Sequence, residues 1–142
     1  MAVSGGAAPL FILSFRHRDE LTGTAERAGW QPIAARRPDN AESRFIASGS
    51  PVAVVDARGA LAEGREAVRT LSDPAEANAA ALLVLLSRKD EAALDDLFAA
   101  GATHFLVSPF SEQQFVSAVN FARRQAERVG ARNSRRRRIA AR

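Results

Sequence analysis

The chain contains no cysteine, which excludes a disulfide scaffold, thiolate metal ligation and cysteine catalysis together. Histidine is almost as scarce: His17 and His104 are the only imidazoles, too few for a metal site without a carboxylate partner. No apolar run approaches the roughly 18 residues that a membrane-spanning helix requires. Residues 1–9 lack the basic and apolar regions of a signal peptide, so the expectation is a cytoplasmic protein. No GxGxxG loop follows the first apolar run and no nucleophile elbow is present, which removes the usual supports for nucleotide binding and for an independent small-molecule enzyme.

What remains is an ordinary globular composition over 142 residues, 46% hydrophobic and 25% charged, enough for one domain with a buried core. Lysine occurs once, at Lys89, against 19 arginines, a bias that a GC-rich genome explains more simply than phosphate binding does. The formal charge of +4 is unevenly placed. Six arginines follow Ala131 with no acid among them, and removing those six charges leaves −2 for the body. The organisation expected is a flexible N-terminus over 1–9, a folded domain over 10–130 and an arginine-rich tail or linker over 131–142.

Strand-like and helix-like segments alternate five times, the pattern of a parallel sheet covered by helices on both faces. Residues 10–15 form a nearly continuous apolar run suited to a central parallel strand. A helix over 19–28 ends at Gly29. Residues 30–35 read as a weaker strand, placed at an edge by Pro32. Asp39 or Asn40 caps a second helix with Phe45 and Ile46 inward. Residues 51–55 form a third strand that ends on Asp56. A helix follows with Ala67, Val68 and Leu71 on one face, stopped at Asp73-Pro74. Residues 81–86 are the most hydrophobic stretch and therefore a central strand. A helix over 90–100 turns Leu94, Leu97 and Phe98 inward, and Gly101 stands at a left-handed cap. Residues 104–107 form the fifth strand. Ser111 and Gln114 make a capping box for a last helix striped by Phe115, Ala118, Val119, Ala122, Ala126 and Val129. With right-handed crossovers the product is a three-layer α/β/α sandwich, with its chemistry at the carboxyl ends of the strands.

The segment Phe98-Ala99-Ala100-Gly101-Ala102-Thr103-His104-Phe105-Leu106-Val107-Ser108-Pro109-Phe110-Ser111, taken with the aspartate ending strand three, resembles the receiver domain of two-component response regulators over about residues 10–129. The resemblance implies a flavodoxin-like sheet of order 2-1-3-4-5. It implies phosphoryl transfer from a partner histidine kinase to an aspartate, with Asp56 at that position. It also implies Mg²⁺ held by an acidic pair after strand one, a lysine against the phosphate and a switch hydroxyl.

Several of those elements are replaced. Arg16 and His17, followed by Arg18, stand where the acidic pair is expected. A cation about 4 Å from a dication is unfavourable by several kcal/mol even at an effective dielectric near 20, which works against Mg²⁺. Ser108, before Pro109, replaces the lysine, leaving Arg58, Arg88 or Arg16 as alternative sources of positive charge. The switch position falls on Leu86 or, with a one-residue deletion, on Ser87. The resulting expectation is a degenerate receiver in which Arg16, His17 and Arg18 pair with Asp56 in place of the metal. The alternative is a working phosphoacceptor at Asp56.

Partner expectations follow from the same resemblance. They are a signalling protein such as a histidine kinase, and an output domain beyond the last helix. That output domain could belong to a larger enzyme such as a diguanylate cyclase or phosphodiesterase. Val116 and Phe121 lie off the core stripe of the last helix and suggest a homodimer face. The arginine tail offers nucleic-acid binding as a further alternative, without the aromatics or recognition helix that sequence-specific binding needs.

Overall fold

The computed structural model describes residues 7–140. Five parallel strands, β1 (Pro9–Ser14), β2 (Gln31–Ala35), β3 (Val52–Asp56), β4 (Ala81–Ser87) and β5 (His104–Ser108), lie in the order β2-β1-β3-β4-β5. The expected flavodoxin-like order is therefore the observed one. The helices are α1 (Arg18–Arg27), α2 (Ala41–Ser48), α3 (Leu61–Ala77), α4 (Leu94–Ala100) and α5 (Glu112–Ala140). Among the described residues, no helix is long and apolar enough to cross a membrane. The expectation for 1–9 lies mostly outside the described residues, and Pro9 already belongs to β1.

Strand alternation divides the core in two. Phe11, Leu13, Ala53, Val55, Leu82, Val84 and Leu86 face α2, α3 and α4. Leu10, Ile12, Val52, Val54, Leu83 and Leu85 face α1 and α5. Because β1, β3 and β4 are covered on both faces, their sequences are continuous rather than alternating. Pro32 sits on β2, an edge strand, where its missing N–H leaves no ladder bond unmade.

Several local expectations need correction. Asn40 precedes α2 in the left-handed region (φ 61°), and neither it nor Asp39 makes a side-chain cap. Ile46 is exposed, because Ala41 and Phe45 already fill the one narrow face that α2 turns to the core. The third helix does not stop at Pro74. The ring is buried, and Asn78 closes the extra turn by donating to the Pro74 carbonyl through both its backbone N–H (3.1 Å) and its side chain (2.8 Å). The fourth helix opens as a 3₁₀ segment, Arg88–Ala93, which shifts the phase. Leu97 stays buried while Phe98 turns out to the rim, edge-on to Phe105.

The last helix differs most. The capping box forms as expected, with the Ser111 N–H donating to Gln114 Oε1 (2.7 Å) and the Gln114 N–H to Ser111 Oγ (3.0 Å). The helix then runs 29 residues through Gly130 and the arginine run. One glycine costs about 1 kcal/mol of helix propensity, a penalty that the surrounding alanine and arginine residues outweigh. Val129, expected on the core stripe, is exposed because α5 has by then left the sheet.

Gly64 fixes how closely α3 approaches the loop after Asp56. A Cβ there would lie 2.4 Å from Ala57 Cβ, a backbone-anchored atom that cannot swing away. Gly64→Ala is expected to cost about 1–3 kcal/mol in urea denaturation. Gly23→Ala in α1, meeting only the end of the long Arg27 side chain, which can shift by a few tenths of an ångström, is expected to be neutral or stabilising by up to about 1 kcal/mol. Equal effects of the two substitutions would contradict this packing.

Candidate functional site

The carboxyl ends of four strands converge on Asp56. In register, Ser14 pairs with Asp56 across β1 and β3, and Ser87 with Ser108 across β4 and β5. Counting along each strand puts Ser14, Asp56, Ser87 and Ser108 on the face toward α1 and α5, and Leu86 on the opposite one. Of the two residues considered for the switch position, only Ser87 shares a sheet face with Asp56.

The Asp56 side chain is wholly buried, and every oxygen has donors. Oδ1 accepts from Arg58 Nε (2.8 Å) and from the Arg58 backbone N–H (3.2 Å). Oδ2 accepts from Ser14 Oγ (2.7 Å) and Arg58 Nη2 (3.1 Å). The guanidinium thus grips the carboxylate with two donors, the fork geometry that makes arginine pairs directional. Ser14 Oγ in turn accepts from the His17 N–H (2.9 Å), so the loop after β1 is tied to the same network.

Arg58 is itself enclosed, with 11% of its side chain exposed. Its carbon Cζ stands 4.8 Å from the centroid of the Phe110 ring. Phe110 stacks on Phe115 at the start of α5. Glu20 Oε1 of α1 lies 3.9 Å from Arg58 Nη1 on the outer side. One cation is therefore held by a carboxylate, an aromatic face and a second, more distant carboxylate. The spacing that permits this is short: Asp56-Ala57-Arg58-Gly59 turns back on itself, and Gly59 takes φ 70°.

The basic residues after β1 are not the partners of Asp56. Arg18 pairs with Asp19 (3.2 Å), the His17 ring lies 3.5 Å from Glu20, and Arg16 lies across Gly59, where an added Cβ would meet its Cδ at 3.1 Å. The expectation that Arg16, His17 and Arg18 neutralise Asp56 is corrected on this point, because Arg58 reaches the carboxylate from two residues away and fills the space. Sequence reading named Arg58 only as one of three alternatives and missed Ser14 and Phe110. The available signal was a buried-strand aspartate with arginine at i+2 and a turn glycine at i+3.

The site does not fit Mg²⁺, the ion that the receiver resemblance implies. A divalent cation needs several free oxygen ligands. Here both Asp56 oxygens are engaged by donors, and the neighbouring groups at the loop are a hydroxyl, a guanidinium and a distant glutamate. Among the described residues no cluster of three His, Cys, Asp or Glu side chains could hold a metal.

Val116 and Phe121 do not share one patch. Five residues apart on a helix they point about 140° from each other, and Val116 is half-buried while Phe121 is 57% exposed. Phe121 instead packs edge-on to His104, and burial there holds the His104 imidazole below its ordinary pKa. At the first residue of α5, Arg27 and Thr24 hydrogen bonds hold Glu112 below the usual carboxylate range.

No protein-family model and no curated protein matches the chain. Solved structures do. A response regulator receiver domain protein from Clostridium thermocellum superposes with TM-score 0.73 at 16% identity, covering 86% of this chain and 98% of that one. A CheY chemotaxis protein from Vibrio cholerae gives 0.70 at 19% identity, over 82% and 98%. NtrX from Brucella abortus, in complex with ADP, gives 0.80 at 14% identity, over 94% of this chain but 30% of that longer one. With its sheet order, its two-sided helical cover and these neighbours, the chain has the CheY-like fold of response regulator receiver domains.

Proposed function

We propose that this chain is a receiver-like signalling module in which Arg58 permanently neutralises Asp56, so that it works through protein contacts and not through phosphoryl transfer. The single observation that carries this reading is the two-pronged Arg58–Asp56 pair, buried and further satisfied by Ser14. A phosphoacceptor carboxylate needs a free oxygen and a nearby dication to offset the charge of the incoming phosphoryl group. Here both oxygens are engaged by protein donors, the groups beside them do not form a set of free oxygen ligands, and freeing the carboxylate would leave a buried guanidinium without its counter-charge.

The role is regulatory, with a histidine kinase or another signalling protein as partner and an output domain beyond α5. Ser87, Ser108 and Pro109, at and just beyond the carboxyl ends of β4 and β5, have no phosphate-responsive role in this reading. Incubation with acetyl phosphate and Mg²⁺, followed by mass measurement of the intact chain, is expected to leave wild type unlabelled while a competent receiver labels alongside it. A phosphoryl increment that disappears in Asp56→Asn would overturn the reading and make the chain a working phosphoacceptor.

The partner face is also part of this proposal. Phe98, Phe105 and Phe121 are exposed aromatics flanking the β5 edge, an unusual concentration for a solvated surface. A second copy of the chain is the occupant expected there. Sedimentation equilibrium should give a dimer for wild type and a monomer for Phe121→Arg; two monomers, or two dimers, would remove this face from the account.

A further inference from the structure

Arg132 and Arg135 to Arg138 form part of an ordered surface. They continue α5, and they join two arginines that precede Gly130. Arg124, Arg128, Arg132 and Arg136 follow one another at four-residue intervals, with Arg135 beside them. At about 100° per residue the five lie within an arc of about 120°, on a line about 18 Å long. All five are exposed, and none makes a salt bridge among the described residues. The acid within this stretch, Glu127, lies on another side of the helix, where it pairs with Arg123 (3.6 Å). Arg123 in turn packs over Trp30. The domain side of α5 is therefore neutralised while the outer side is left as uncompensated positive charge. A GC-rich genome explains the choice of arginine over lysine but not this segregation.

We infer that this stripe is a docking surface for the phosphate backbone of double-stranded DNA, read without base specificity. Three observations favour this partner. The helix beyond Gly130 carries no apolar face, only Ile139 among charged and small residues, so it lacks what insertion into a lipid surface requires. It carries no aromatic side chain on which unpaired bases could stack. A bare helix of about 10–12 Å diameter fits the roughly 12 Å major groove of B-form DNA, whereas the narrow groove of A-form RNA excludes it. DNA presents one phosphate charge per about 1.7 Å of axis, so a line of this length faces more than enough phosphates for five arginines. The inference goes beyond the proposed role of Asp56 and does not depend on it.

The test is fluorescence anisotropy of a labelled random-sequence duplex with the full chain, titrated with salt. Five phosphate contacts predict a slope of log K against log salt of about −4.5, or about 500-fold weaker binding at 200 mM than at 50 mM. Replacing Arg128, Arg132 and Arg136 by glutamine, a good helix former, should reduce the slope to about −2, with helicity by circular dichroism unchanged. Replacing Arg137, which lies about 100° from the nearest edge of the stripe, should change it by less than the roughly 0.9 expected of one phosphate contact. Absence of binding at 50 mM salt would overturn the inference. So would an equal effect per arginine replaced on and off the stripe, or tighter binding to duplex RNA or phosphatidylglycerol vesicles.

Discussion

The Arg58–Asp56 pair is the interaction around which the rest of this domain is arranged. The Asp56 carboxylate ends a central parallel strand, wholly buried between Ser14 of β1 and Leu85 of β4, and it is tolerable there only with a counter-charge and a full set of donors. Arg58 supplies the charge and three of the donors, its backbone N–H among them, and Ser14 supplies the fourth. The consequence is chemical as well as structural: the pocket in which a receiver would hold a metal ion is filled by a side chain of the protein itself.

That side chain is also a mechanical link. Through the Phe110 ring it joins the loop after β3 to the loop after β5, and through Phe110 on Phe115 it reaches the first turn of α5. The Arg27 and Thr24 contacts to Glu112 hold the same turn against α1. The start of the long helix is thus anchored to the Asp56 site, while its far end stands clear of the sheet.

Much of the fold could be read in advance because its signals are local and repeated. The continuous apolar runs of β1, β3 and β4, Pro32 at the edge and the Ser111/Gln114 box each point to one structure. The errors arose where tertiary context overrides a local rule. Pro74 continues a helix because its buried ring is held in the core, and the 3₁₀ start of the fourth helix rotates Phe98 outward. Gly130 fails to end α5 because one glycine is a weak breaker among good helix formers. At the site, Asp56 was legible from its place at a strand end. Its partner was not, since the two arginines and the histidine directly after the first strand offer as plausible a counter-charge in sequence as the single arginine two residues beyond Asp56. The geometry of the turn at Gly59, which no count of charges reveals, decides between them.

The central claim is that the Asp56 carboxylate has its counter-cation built in, as Arg58. A double-mutant cycle in urea, comparing wild type, Asp56→Asn, Arg58→Gln and the double variant, measures that pairing directly. A buried, two-pronged pair predicts a coupling of about 2 kcal/mol or more, with either single substitution more disruptive than expected from the double. Additive effects, within about 0.5 kcal/mol, would mean that the two groups do not depend on each other and would contradict the account.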